Sequence, residues 1–193
     1  MATVTVTDTR ERILRTTLDL IGREGIAAVT NRRVAEAAEV SLGSLTYHFD
    51  SQLDLLRESL MLMVGEEVVR LEGIAAELRQ NRPNIEQVAV AVEQVVRETG
   101  RRIQELAEFE LHLQAARDPE LRDASRRCFV AYEDVAEAAL EALQVPNAKA
   151  QARSIVALMY GLGLRRLGTG EEDPTGLAAA LLTIVRGAQV DAG

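Results

Sequence analysis

The sequence predicts an all-α protein: a three-helix start of helix-turn-helix form, followed by a larger helical body. Three observations carry this. Apolar residues recur at three- and four-residue intervals along nearly the whole chain. Helix breakers cut that pattern into helix-sized pieces, at Gly25, around Pro83, and in the runs ETG, RDP, QVPN and GTGEEDP. The one clean alternation, TVTVT, is short, polar and N-terminal. It reads as part of a disordered tail over residues 1–8 rather than as a strand.

The elements follow in order. Ile13, Thr17, Leu20 and Ile21 share one face of a first helix, which closes near Gly25. Thr30 is a good N-cap for a short second helix holding Val34, Ala35 and Ala38. Ser41 caps a third that runs to Phe49. Ser51 opens a long fourth helix with Leu53, Leu56, Leu60 and Val64 on its apolar side. After the break at Pro83, helical patterns resume at 85–98, 102–116, 119–143, 148–167 and 174–186, with Pro119 and Pro174 suited to first-turn positions. That makes about nine helices, divided into a domain over 1–50 and a second over 51–193.

Composition narrows the function. The net charge of −8 argues against a general polyanion binder. The charge is uneven: residues 1–50 carry six arginines against seven acids, and the rest carries 16 bases against 23 acids. A nucleic-acid site would therefore lie in the first quarter and depend on placed groups. The single cysteine, Cys128, excludes an intrachain disulfide. No basic segment followed by an apolar run opens the chain, and no apolar run reaches membrane-spanning length. The expectation is a cytoplasmic protein with no membrane partner.

A helix-turn-helix needs a small residue where its helices cross, a tight turn, a buried aliphatic after that turn and another within the second helix. Ala35, Glu39, Val40 and Leu45 fall in these places. The exposed face of the second helix then holds Ser41, Leu42, Gly43, Ser44, Tyr47 and His48. Small residues let a helix approach base edges, and a hydroxyl and an imidazole suit phosphates. On this residue pattern alone, a three-helix packing unit without DNA is the commoner outcome.

The segment ILRTTLDLIGREGIAAVTNRRVAEAAEVSLGSLTYHFDSQLDLL shifts that balance. It resembles the N-terminal domain of the TetR family of transcriptional regulators over residues 9–56. The matching pieces are a first helix ending in REG, T-x-x-x-VA-x-x-A, VS-x-GSL, HF and the following S-x-x-x-LL. The resemblance implies DNA contacts from Thr30, Arg32 and Arg33 as well as from the second-helix face. Three positions depart from the family pattern. Glu39 replaces the usual turn glycine, Thr46 replaces a tyrosine, and Gln52 replaces a lysine. A non-glycine residue at positive φ costs roughly 1–2 kcal/mol, and the other two changes remove phosphate contacts.

The resemblance also implies a helical C-terminal domain that dimerises through its last two helices and encloses a ligand cavity. Ala157, Gly161 and Leu164 share a face on which small residues allow close helix approach, and TGLAAALLTIVRG, with Leu181, is too apolar for an exposed helix. These are the expected dimer residues, the alternative being an interior helix of a monomer. Phe109, His112, Phe129, Tyr132, Met159 and Tyr160 stand out on otherwise aliphatic helices and are the candidates for a mostly apolar cavity. Each of these six taken singly is more often plain core.

Catalysis has little support. Glu108 and His112 are four apart on one helix, but a di-iron bundle needs paired Glu-x-x-His motifs and the chain has two histidines. No metal, cofactor or catalytic residue is expected, and a lone Cys128 reads as core. The expectation is a homodimeric, sequence-specific regulator, a repressor released from a palindromic double-stranded DNA operator by a small, mostly apolar effector. The alternative is a helical-bundle enzyme or small-molecule carrier that has lost DNA binding.

Overall fold

The computed structural model describes residues 6–81, 83–84, 87–88, 90 and 102–170. Among these there is no strand, and seven α-helices are present: α1 (Val6–Glu24), α2 (Asn31–Ala37), α3 (Leu42–His48), α4 (Gln52–Asn81), α5 (Arg102–Ala115), α6 (Pro119–Ala142) and α7 (Ala148–Thr169). A 3-10 turn, Ile26–Ala28, joins α1 to α2. The all-α expectation holds. Helix α1 begins at Val6, so 6–8 are helical and not a tail; the expected helix at 174–186 lies outside the described residues, as does most of the one at 85–98.

Two compact units emerge. The first holds α1, α2, α3, the start of α4, all of α5 and the first turns of α6, and in it α1 packs along α5. Ile13, Thr17, Leu20 and Ile21 are all buried, as their spacing requires. Thr17 satisfies its hydroxyl by donating to the Ile13 carbonyl at 2.9 Å, which makes a polar residue tolerable there. From the facing elements Val34, Leu45, Leu55, Leu111 and Leu121 complete this core. Arg57 on α4 grips Asp118, just before α6, at 2.7 Å. That guanidinium hydrogen bond holds the Asp118 carboxyl below its usual range.

The connections are built from caps. Gly25, at φ 81°, stops α1, a conformation that glycine adopts without Cβ strain. Thr30 accepts a hydrogen bond from the Arg33 amide at 3.2 Å, and Ser41 accepts one from the Ser44 amide at 3.0 Å. Between them the chain makes a Schellman turn: the Val40 amide donates to the Ala35 carbonyl at 2.9 Å and the Glu39 amide to the Glu36 carbonyl at 3.2 Å. Val40, expected to be buried, is only half-buried, and it closes the turn through its backbone amide.

Helix α4 corrects one reading. Leu60 and Val64 are buried as expected and Leu56 is half-buried, but Leu53 is 48% exposed. In the first turns of α4 the inward position belongs to Leu55, which is fully buried. Gln52 also has a role that its spacing did not suggest: its amide nitrogen donates to the Val29 carbonyl, tying the start of α4 to the loop before α2.

The second unit contains the rest of α4, α6 from Arg126 onward and α7. Leu71, Ala75 and Leu78 of α4 and Val135 and Ala138 of α6 are buried in it, and Leu140, Val145 and Ala152 form a cluster where α6 turns into α7. Cys128, the one cysteine of the chain, is buried. Arg79 binds Asp134 through both terminal guanidinium nitrogens, Nη2 at 2.6 Å and Nη1 at 2.9 Å.

Glu39 adopts φ 54°, so the strain expected from replacing glycine is present. Glu39→Gly is expected to stabilise the protein by about 1 kcal/mol. Urea denaturation checks this; no gain would mean that the greater freedom of glycine in the unfolded chain cancels the relief.

Candidate nucleic-acid interface

The face of α3 is set by one anchor. Leu45 is fully buried against α2, where Ala35 is small enough to let the two helices approach. With Leu45 turned in, helical periodicity turns Gly43 and Tyr47 to the opposite side and Thr46 to the flank. Leu42, three residues before Leu45, lies toward the same side as Leu45 but in the first turn of the helix, and all four are exposed. Tyr47 is the most exposed large hydrophobic side chain among the described residues, at 80%, and Leu42 is 51% exposed. Ser41 is exposed, and Ser44 and His48 are half-buried. The Tyr47 and His48 rings meet edge to face at 5.3 Å. Six of the seven α3 residues and the Ser41 cap are thus open or partly open to solvent, Leu45 being the exception.

Its hydrogen-bonding capacity is smaller than the sequence suggests. The Ser41 oxygen is occupied as the helix cap. Thr46, standing where the family has tyrosine, donates its hydroxyl back to the Leu42 and Gly43 carbonyls at 3.1 and 3.2 Å. Buried Phe49, just beyond, lies 5.3 Å beneath the Arg10 guanidinium, which also pairs with Glu58. Arg10 therefore serves the join between α1, α3 and α4.

The other arginines of this region divide the same way. Thr30 and Arg32 are exposed, and no ion pair involves Arg32 among the described residues. Arg33 is paired with Glu24 at 2.8 Å, and this contact raises its pKa. Arg15 bridges Glu11 and Glu66, and Arg23 binds Asp19. Sequence reasoning placed Arg33 on the interface without its acidic neighbour. Glu24 is nine residues away and across a turn, so no local spacing announces the pair.

The ligand candidates fall in both units. In the first, Phe109 and His112 are half-buried on α5, and His112 Nδ1 lies 2.8 Å from the Ser125 hydroxyl. In the second, Tyr160 brings two others together: its ring centroid is 4.8 Å from that of Phe129 and 5.9 Å, edge-on, from that of Tyr132. Met159 is half-buried beside Tyr160 in sequence. Tyr132 donates its hydroxyl to Glu67 at 2.6 Å. Burial pushes the Glu67 carboxyl up, but hydrogen bonds from Arg70 and Tyr132 outweigh it and hold the group below its usual range. Glu67 went unnoticed in the sequence because a Glu on a long helix is normally a solvated residue.

A separate groove of about 520 Å³ lies where α6 gives way to α7, lined by Glu137, Glu141, Lys149 and Arg153 among others; none of the six ligand candidates borders it. On α7, Ala157, Gly161 and Leu164 are all exposed along one face, Leu164 at 59%. Leu181 lies outside the described residues. No helix among them is long and apolar enough to cross a membrane.

The capped α2–turn–α3 unit and its exposed second helix have the arrangement of a helix-turn-helix DNA-binding unit. The family model described as bacterial regulatory proteins, tetR family, matches residues 13–59, and the one described as the tetracyclin repressor-like C-terminal domain matches residues 83–188. The chain belongs to the TetR family of transcriptional regulators. A transcriptional regulator from Streptomyces coelicolor A3(2) is 33% identical, with TM-score 0.65 over 92% of this chain and 96% of that one. A TetR-family member from Streptomyces coelicolor A3 is 27% identical, with TM-score 0.70 over 92% and 98%. The multidrug binding protein EbrR in complex with ethidium is 28% identical, with TM-score 0.67 over 92% and 98%. No curated protein matches the chain.

The Arg33–Glu24 pair sets up a direct test. Glu24→Gln removes the competing carboxylate, so affinity for duplex DNA is expected to rise about two- to fivefold at low salt, the range of an exposed ion pair. Arg33→Ala is expected to weaken binding and lower the salt slope by about one. Titration across salt concentrations measures both; an unchanged affinity in both variants would place Arg33 off the DNA.

Proposed function

We propose that the protein is a homodimeric repressor that binds a palindromic operator through α3 and is released by a small amphipathic ligand. The observation that carries this is the α3 face, on which Leu42, Gly43, Thr46 and Tyr47 stand exposed around one buried leucine. Thr30, Arg32, Arg33, Ser41, Tyr47 and His48 serve as positioning contacts to phosphates, and Ser44 faces a base edge. Two copies of α3 on a twofold axis fit half-sites one DNA turn apart, roughly 34–36 Å.

The dimer reading is supported by α7. Ala157, Gly161 and Leu164 put an apolar, low-relief stripe in contact with water, and a second copy of the same helix would cover it. The ligand reading is supported by the aromatic group of Phe129, Tyr132 and Tyr160, with Glu67 as its polar member. EbrR, which was solved with ethidium, makes an aromatic amphipathic ligand a reasonable class for this chain too. The acidity beyond residue 50 disfavours anions. Glu67 sits on α4, the helix that begins directly after the α3 unit. A ligand that disturbs the Tyr132–Glu67 bond acts on that helix.

Two measurements test the reading. Leu164→Arg is expected to give a monomer by light scattering and to abolish binding to palindromic DNA together, with helicity retained; a monomeric wild type at micromolar concentration would overturn the dimer. Tetraphenylphosphonium, an aromatic cation that does not intercalate, can be titrated calorimetrically with and without operator. A coupling of about 1–3 kcal/mol weakens its binding roughly 5–150-fold when DNA is bound, and linkage requires the same factor in reverse. Equal affinities would rule the coupling out.

A further inference from the structure

We propose that Leu42 reads the C5-methyl group of a thymine in the major groove, and that this contact, not a bidentate hydrogen bond, is the main base discrimination made by α3. The inference rests on the reading that α3 enters the groove.

It follows from what the helix lacks. Its seven residues are LGSLTYH, with no Arg, Lys, Asn, Gln, Asp or Glu among them. The side chains that recognise guanine, adenine or cytosine by paired or charged hydrogen bonds are therefore absent from it. The hydroxyls that remain are largely committed. Ser41 Oγ caps the Ser44 amide, and Thr46 Oγ1 donates to two backbone carbonyls, which leaves its methyl group and lone pairs. Ser44 is half-buried. Tyr47 is long and exposed, and suits the phosphate backbone.

Leu42 is the member of this face with no other explanation. It is 51% exposed, whereas the core of the three-helix unit is complete without it, Leu45 filling the inward position. Its neighbour Gly43 has no side chain, and beyond the adjacent residues a Cβ there would meet only the Ser41 oxygen, at 3.9 Å, so the helix surface at Gly43 is open to close approach. An apolar group standing clear in this way has one apolar partner in the major groove, the thymine methyl. Burying that methyl against leucine is worth about one methylene of transfer, roughly a fourfold change in affinity per contact.

The test uses the full-length protein and the duplex that it enriches most from a random-sequence library. Each thymine is replaced in turn by deoxyuridine, which lacks only the methyl group. One thymine per half-site is expected to be sensitive, with binding about three- to fivefold weaker for one replacement and about tenfold or more for both half-sites together. Leu42→Ala is expected to bind the thymine and deoxyuridine duplexes alike, at the affinity of the wild type for deoxyuridine, and Leu42→Met to retain the preference. A duplex insensitive to deoxyuridine throughout, or equal sensitivity in Leu42→Ala, would overturn the Leu42 assignment while leaving DNA recognition by α3 standing. If no duplex is enriched, both fall.

Discussion

A helix of seven residues does not hold itself together in water, because the cost of nucleating it is never recovered by so few hydrogen bonds. Everything that α3 can do therefore depends on how it is held. Three constraints act on it: the Ser41 cap at its start, the Schellman turn that fixes where it leaves α2, and the burial of Leu45 beneath it. Leu45 chooses the face. A rotation of the helix by one residue would expose this leucine and bury Leu42 or Thr46, so the surface offered outward follows from a core contact.

The electrostatics of the same unit are those of a protein that spends its arginines internally. Arg10, Arg15, Arg23 and Arg33 all have carboxylate partners. Such exposed pairs add little to stability, but they lower the positive potential that would attract any polyanion. With a net charge of −8, nonspecific affinity should be weak and sequence preference correspondingly more important. The departures from the family pattern agree with this. Gln52 gives up a charge and gains a structural bond to Val29, and Thr46 turns its hydroxyl onto its own helix.

The second unit is organised around a different economy. A half-buried carboxylate, Glu67, is kept ionised by hydrogen bonds from Arg70 and Tyr132. Removing either donor would leave a charge with too few partners, the costly case for a buried polar group. Such a group answers to any molecule that competes for its hydrogen bonds, so it suits a place where ligand and helix α4 exchange free energy.

Within the described residues the sequence by itself determined most of the helices, their caps and their breaks, because these depend on residues within a few positions of one another. Thr30, Ser41, Gly25 and the 3.6-residue spacing of Ile13, Thr17, Leu20 and Ile21 were legible for that reason, and so was the turn at Glu39. The helix-turn-helix and its family were legible too, since both are written in a contiguous segment. Only the tertiary structure decided the rest. It set Leu55 rather than Leu53 inward, gave Tyr132 to Glu67 and Arg33 to Glu24, and placed Tyr160 between Phe129 and Tyr132. Each of these pairings joins residues separated by loops or whole helices. Helical periodicity says which side chains share a face, but which partner that face meets depends on how separate helices pack, and no local pattern encodes that.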